Sequence, residues 1–181
     1  MASELHVDAI KHSGGTSALT IDSSGNLTAS ANLNASTGLT VPSGHIIQVI
    51  ENSTTTQVNS TSTTYADTGL TATITPQSTS SKIAIFISQN VHKTYQHTDQ
   101  IQLNIVRGST QLVQWATELL HDDGALNHFN GYGSQSYIDS PSTTSATTYK
   151  TQFRRRLSTS AQMSVQYASG RSSIMLMEIS G

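Results

Sequence analysis

The chain has 181 residues, of which 35% are hydrophobic, 11% charged and 6% aromatic, with three prolines, no cysteine and a formal net charge of -2. A chain of this length buries roughly 70% of its unfolded surface, which suits one core-bearing domain plus a small appendage and not two full domains. The missing cysteine excludes disulfides, thiolate catalysis and thiolate metal sites, and nine Lys plus Arg against eleven Asp plus Glu exclude the broad basic surface that nucleic-acid binding needs.

Charged residues fall well below the usual share of about 25%, and Ser and Thr fill the difference at about 30% of the chain. Low charge with low net charge is not the composition of a self-repelling disordered chain. Threonine is β-branched and half polar, which suits a pleated strand with one wet face. The composition therefore predicts an all-β, antiparallel protein whose solubility comes from hydroxyls and amides. No stretch approaches 18 apolar residues, and Met1-Ala2-Ser3-Glu4-Leu5-His6 lacks the basic region and apolar run of a secretion signal. The expectation is a chain made in a cytoplasm without signal peptide or membrane insertion.

In chain order, Leu5-His6-Val7-Asp8-Ala9-Ile10 and Ala18-Leu19-Thr20-Ile21-Asp22 alternate apolar and polar residues, separated by the turn chemistry of Ser13-Gly14-Gly15-Thr16. From 27 to 39 only Leu27, Leu33 and Leu39 stand out among small polar neighbours. Two short strands and a spaced-leucine tract cannot make a core, because an isolated hairpin is marginal in water. This segment needs a partner, either copies of itself or another protein. Val41-Pro42-Ser43-Gly44 marks a boundary, dividing the chain into residues 1–42 and 43–181.

Beyond it, strands are predicted over residues 45–51, 63–66, 71–75, 82–91, 100–107, 111–117, 132–138, 147–156, 163–167 and 173–179. Short strands at regular spacing without helical periods indicate a sandwich or barrel. Ile83-Ala84-Ile85-Phe86-Ile87 is apolar on both faces, as in a central strand, whereas Ile101-Gln102-Leu103-Asn104-Ile105 alternates and predicts one face on the core and one in water. Residues 106–113 read as a hairpin turning at Gly108. A helix is arguable only over residues 115–121, and there as no more than a turn. Residues 122–132 read as a long loop, a kind of segment that tends to carry function.

The segments Thr68-Gly69-Leu70-Thr71-Ala72-Thr73-Ile74-Thr75-Pro76, Ser80-Ser81-Lys82-Ile83, Val106-Arg107-Gly108-Ser109-Thr110, Tyr137-Ile138-Asp139-Ser140-Pro141, Thr144-Ser145-Ala146-Thr147-Thr148-Tyr149 and Ile174-Met175-Leu176-Met177-Glu178-Ile179 together resemble a C-terminal domain of bacteriophage tail-fibre and virion-surface proteins, over about residues 45–179. The stretches Leu5-His6-Val7-Asp8-Ala9-Ile10-Lys11-His12 and Ala18-Leu19-Thr20-Ile21-Asp22-Ser23-Ser24-Gly25 are similar to the N-terminal ends of fibre-like proteins of aquatic phages. The resemblance implies a jelly-roll-like β-sandwich, a homotrimer, and a shape related to tumour-necrosis-factor and complement globular-head domains. It implies a virion location and does not separate a short tail fibre from a capsid decoration protein. Residues 1–40 would then hold the chain to other virion proteins, with Leu5, Val7, Ile10, Leu19 and Ile21 as candidate attachment residues. Arg154-Arg155-Arg156 departs from the resemblance, which implies a less charged strand end there.

No cofactor is expected. The histidines, among them His92, His97, His121 and His128, lack helical His-x-x-x-His spacing and read as loop or interface residues, although a threefold axis could gather one from each chain. No Gly-x-Ser-x-Gly elbow occurs. Asp122 and Asp123 are adjacent, whereas glycoside cleavage needs two carboxyls held about 5 to 9.5 Å apart, so turn hydrogen bonds are the simpler reading and a polysaccharide hydrolase is the least favoured one. Tyr95, His97, His121, Asp122, Asp123, Asn127, His128 and Tyr132 form a candidate contact surface for a host glycan or receptor protein, since exposed aromatic and amide side chains serve such contacts. Trp115, inside an apolar alternation, reads as a core or subunit-interface residue. Arg154 and Arg156 are expected on the strand face opposite Arg155, and the three arginines are expected in a solvated, anion-binding or intersubunit salt-bridge role. In the last strand both faces are apolar up to Glu178, so one face is expected on the other sheet and the other, carrying Met175 and Met177, on a neighbouring subunit.

Overall fold

A computed structural model of the chain describes residues 8–11, 14, 15, 17–29, 42–94, 100–119, 128–157 and 161–181. The chain divides into two compact units, Met1–Thr40 and Val41–Gly181. Among the described residues no helix is long and apolar enough to cross a membrane.

The first unit is a three-stranded antiparallel meander of β1 (Ala9–Lys11), β2 (Ser17–Ile21) and β3 (Leu27–Ala29). The turn into β3 is built by Asp22, whose carboxylate accepts the backbone N–H groups of Ser24 and Asn26 at 2.8 and 2.9 Å, while Gly25 supplies a φ of +80°. The Asn26 side-chain amide, then its backbone N–H, hold the Asp22 carboxyl below the usual carboxylate range. The register puts Ile10, Leu19, Ile21, Leu27 and Ala29 on one face, where Ile10, Ile21 and Leu27 remain exposed. The first residues of the spaced-leucine tract thus pair as a third strand, because Leu27 completes that face.

The second unit is an antiparallel β-sandwich. Its strands are β4 (Ile46–Thr54), β5 (Val58–Ser60), β6 (Ala66–Ile74), β7 (Lys82–Thr94), β8 (Ile101–Arg107), β9 (Thr110–Leu119), β10 (His128–Asp139), β11 (Thr147–Arg155), β12 (Gln162–Val165) and β13 (Ser172–Ile179). One sheet is organised around β7, which pairs with β10 along one edge and successively with β13 and β12 along the other; β4 extends β13 and β5 extends β12. The other sheet runs β6-β11-β8-β9. Alternate residues of both sheets meet between them: Ile83, Ile85, Ile87, Ile174 and Leu176 face Leu70, Ile74, Leu103, Ile105, Tyr149 and Phe153 in one buried cluster.

Four expectations change. Residues 58–60, not 63–66, form the strand before β6, because Val58, Asn59 and Ser60 find an open edge on β12. Residues 128–132, expected in a loop, pair with Asn90 to Thr94: β7 extends far enough to offer a ladder that outweighs the turn chemistry of Asn130 and Gly131. β8 is buried on both faces, because its amide face is roofed by Arg154, Gln152 and Gln111, which bond to Gln102 and Asn104. Arg155 does not face solvent: β11 turns it inward beside Phe153, and its guanidinium donates to the Ala161 carbonyl.

Buried polar groups tie the two sheets together. Gln89 of β7 accepts from Thr151 Oγ1 of β11 at 2.9 Å and donates to Ser172 Oγ of β13, and Thr151 bonds Thr68 of β6. The Gln166 amide, oriented by its surroundings, donates to the Thr56, Thr68 and Val165 carbonyls and accepts from Gln89 and Ser172. At the other end of β7, Asp139 of β10 accepts from Arg107 of β8 at 2.7 and 2.9 Å and from the Tyr149 hydroxyl of β11 at 2.7 Å. Burial first, then the Asp139 carboxylate, push the Tyr149 hydroxyl far above the ordinary tyrosine range, so it stays a donor. A Tyr149→Phe substitution removes one bond to a buried carboxylate and is expected to cost about 1.5 to 3 kcal/mol in urea unfolding.

Candidate functional site

The sequence-predicted contact residues do not come together in the described part of the chain. Tyr95, His97, His121, Asp122, Asp123 and Asn127 lie outside the described residues, as do Leu5 and Val7. His128 opens β10 and Tyr132 follows on the same strand. Trp115, on β9, is 7% exposed and belongs to the core cluster of its own chain. Among the described residues no group of three or more His, Asp or Glu side chains is placed to hold a metal.

What the fold does assemble is a surface on the outer face of the β7 sheet. Cross-strand register sorts it into rows. Val49, Met177, Ala84 and Ile138 lie side by side on β4, β13, β7 and β10, and the next row is Glu51, Met175, Phe86 and Ser136. Then come four serines, Ser53, Ser173, Ser88 and Ser134, followed by Asn90 opposite Tyr132 and His92 opposite Asn130. Val49, Phe86 and Ile138 are 53%, 47% and 59% exposed, and Met175 and Met177 are half-buried between them. The Phe86 ring stands between two shallow depressions, one lined by Ser134, Gln135 and Ser136 and the other by Glu51, Ser173 and Met175. Glu51 pairs with Arg171 at 3.0 Å, leaving the rows electrically balanced.

The two rows span four strands spaced by about 4.8 Å and about 14 Å along them, roughly 270 Å². A contiguous patch of a few hundred Å² lies within the range of soluble chains, where the largest such patch is often functional. The sequence carried the signal in two separate places, Ala84 with Phe86 and Met175 with Met177, both outward positions of strands apolar on both sides. Val49 and Ile138 carried none, because only register shows that they extend the same rows.

The far end of this face is capped by a short 3₁₀ turn, Tyr167–Ser169, where a strand is expected through residue 167. Gln166, Ala168 and Ser169 all have positive φ, a conformation that costs a non-glycine residue roughly 1 to 2 kcal/mol. Asn90 compensates. It accepts the Tyr167 backbone N–H at 2.9 Å and donates to Asn130 Oδ1, while the Tyr167 ring stacks on His92 at 3.5 Å between centroids. Gly170 closes the turn, since a Cβ there would sit 2.6 Å from Asn90 Cγ. Tyr132, 56% exposed, stands beside this cap.

No protein-family model matches the chain, and a comparison with curated proteins finds no match. Among solved structures, the VP2 subviral particle of infectious bursal disease virus is similar over 75% of this chain and 38% of its own, at 13% identity and a TM-score of 0.41. A mutant VP2 protein of the same virus in derived T=1 particles is similar over 83% of this chain and 40% of its own, at 12% identity and a TM-score of 0.42. The chain thus spans about two fifths of the length of these proteins, and a likeness of this degree places it in no family.

The contrast between Trp115 and Tyr132 is measurable by denaturant unfolding. Trp115→Ala is expected to cost about 3 to 5 kcal/mol as a core truncation, and Tyr132→Ala to stay within about 0.5 kcal/mol as an exposed one.

Proposed function

We propose that this chain is a non-enzymatic structural protein of a virion surface, a homotrimeric short tail fibre or capsid decoration protein that is held by residues 1–40 and exposes its sandwich. The observation that carries this reading is the open apolar face of the β7 sheet around Phe86, on a chain with only 11% charged residues. Burying the remaining exposed area of Val49, Phe86, Ile138, Met175 and Met177 is worth about 1 kcal/mol each. A single copy leaves that unrealised, whereas copies that turn the same face toward a common axis bury it in one another. The serine row suits such contacts, because a hydroxyl is donor and acceptor at once and can pair with its own kind.

The small meander supports the attachment half of the reading. Its apolar face, Ile10, Leu19, Ile21 and Leu27, is too small to be a core and is presented on one side of three short strands. A second role, binding a host glycan or receptor, is favoured by the exposed Tyr132 ring beside Asn130 and the capped 3₁₀ turn.

Sedimentation of the full chain is expected to show a trimer, and Phe86→Lys together with Met177→Lys to give folded monomers by circular dichroism. A wild-type chain that sediments as a monomer at micromolar concentration would remove the ground for this reading. Separately, a chain lacking residues 1–40 is expected to be absent from purified particles while the full chain is incorporated, as read by immunoblotting.

A further inference from the structure

The core-facing side of the β7 sheet carries an unusual row at its lower end. Gln48 of β4, Glu178 of β13, Ile83 of β7 and Asp139 of β10 lie directly opposite one another in register. Two of the four are carboxylates, and they are treated differently. Asp139 is held by the Arg107 guanidinium and the Tyr149 hydroxyl. Glu178, two strand spacings or about 10 Å away, is 0% exposed, and its Oε1 accepts only the backbone N–H of Gln77 at 2.6 Å. Its Oε2 is buried and has no partner.

Two further oxygens in the same corner share that condition. Gln48 Oε1, on the residue opposite Glu178, is buried without a donor, and so is the hydroxyl of Ser81, 1% exposed and placed just before β7, the strand on the other side of β13. Lys82, which follows it, is exposed. Among the described residues no basic side chain reaches Glu178. A buried charge is ordinarily paired or bound to a metal ion, and orphaned oxygens on neighbouring residues call for an explanation, of which a bound ion is one. A carboxylate, an amide carbonyl and a hydroxyl, with no nitrogen or sulfur ligand, are the donors of a hard cation.

We propose that this corner binds a hard cation of the calcium class, with Glu178 Oε2, Gln48 Oε1 and Ser81 Oγ as protein ligands and water completing the shell. The ion neutralises Glu178 as Arg107 neutralises Asp139, and it ties β4, β13 and β7 together where the sandwich ends. With a single carboxylate the site is weak, in the range of about 10⁻⁴ to 10⁻³ M that suits extracellular modules.

The test uses the full chain freed of metal by chelation. Equilibrium dialysis with radioactive calcium is expected to give one ion per chain, and calcium chloride to raise the melting temperature by a few degrees over choline chloride of equal ionic strength, saturating in the millimolar range. Glu178→Gln is expected to abolish both responses, and Ser81→Ala to weaken binding several-fold. Absence of calcium uptake by the wild type overturns the proposal, as does undiminished uptake by a folded Glu178→Gln chain. Should that variant not fold, an unchanged dissociation constant for Ser81→Ala overturns it equally.

Discussion

The structure depends on pairing polar side chains inside a sandwich that has too few apolar residues to be closed by them alone. Gln89, Thr151, Thr68, Ser172 and Gln166 are all buried, and each is satisfied by another member of the group or by a carbonyl. An unpaired buried amide or hydroxyl costs about 1 to 3 kcal/mol, so a shift of either sheet would strand several of them together. The network therefore sets the relative register of the two sheets more sharply than the isoleucine contacts beside it, since apolar packing tolerates small slips that hydrogen bonds do not.

That constraint explains why β7 is the central element. Among the described residues it is the longest strand, and it contributes to both sides of its sheet at once. Inward, Ile83, Ile85, Ile87 and Gln89 supply apolar packing and then the start of the polar network. Outward, Ala84, Phe86, Ser88 and Asn90 supply an apolar row, a serine row and the residue that holds the strained turn at 166–169. One strand thus links the fold's internal register to the surface proposed for subunit contact.

Several of these features are legible in the sequence. The hydroxyl-rich, low-charge composition pointed to antiparallel β structure, and period-two patterns located most strands within a few residues. Met175 and Met177 were readable as outward-facing because both faces of their strand are apolar. Val49 and Ile138 were not, because each sits in a strand of mixed polarity and joins the patch only across the register. The amide face of β8 looked solvent-facing, since a Gln or Asn gives no hint that Arg154 and Gln111 will cover it. Glu178 looked like the polar end of an apolar strand, and its complete burial follows from the 76–81 segment folding back over it.

The sequence by itself determined the class of fold and the strands that bury both faces, because these follow from local composition and from a side-chain period of two. The tertiary structure alone decided which strands lie side by side, which face of each is covered, and which polar groups find partners. Those outcomes depend on contacts between residues far apart in the chain, such as Glu178 with Gln77 or Asp139 with Arg107. No local pattern encodes them, because the same side chain is stable in water or buried according to what the opposite strand brings to it.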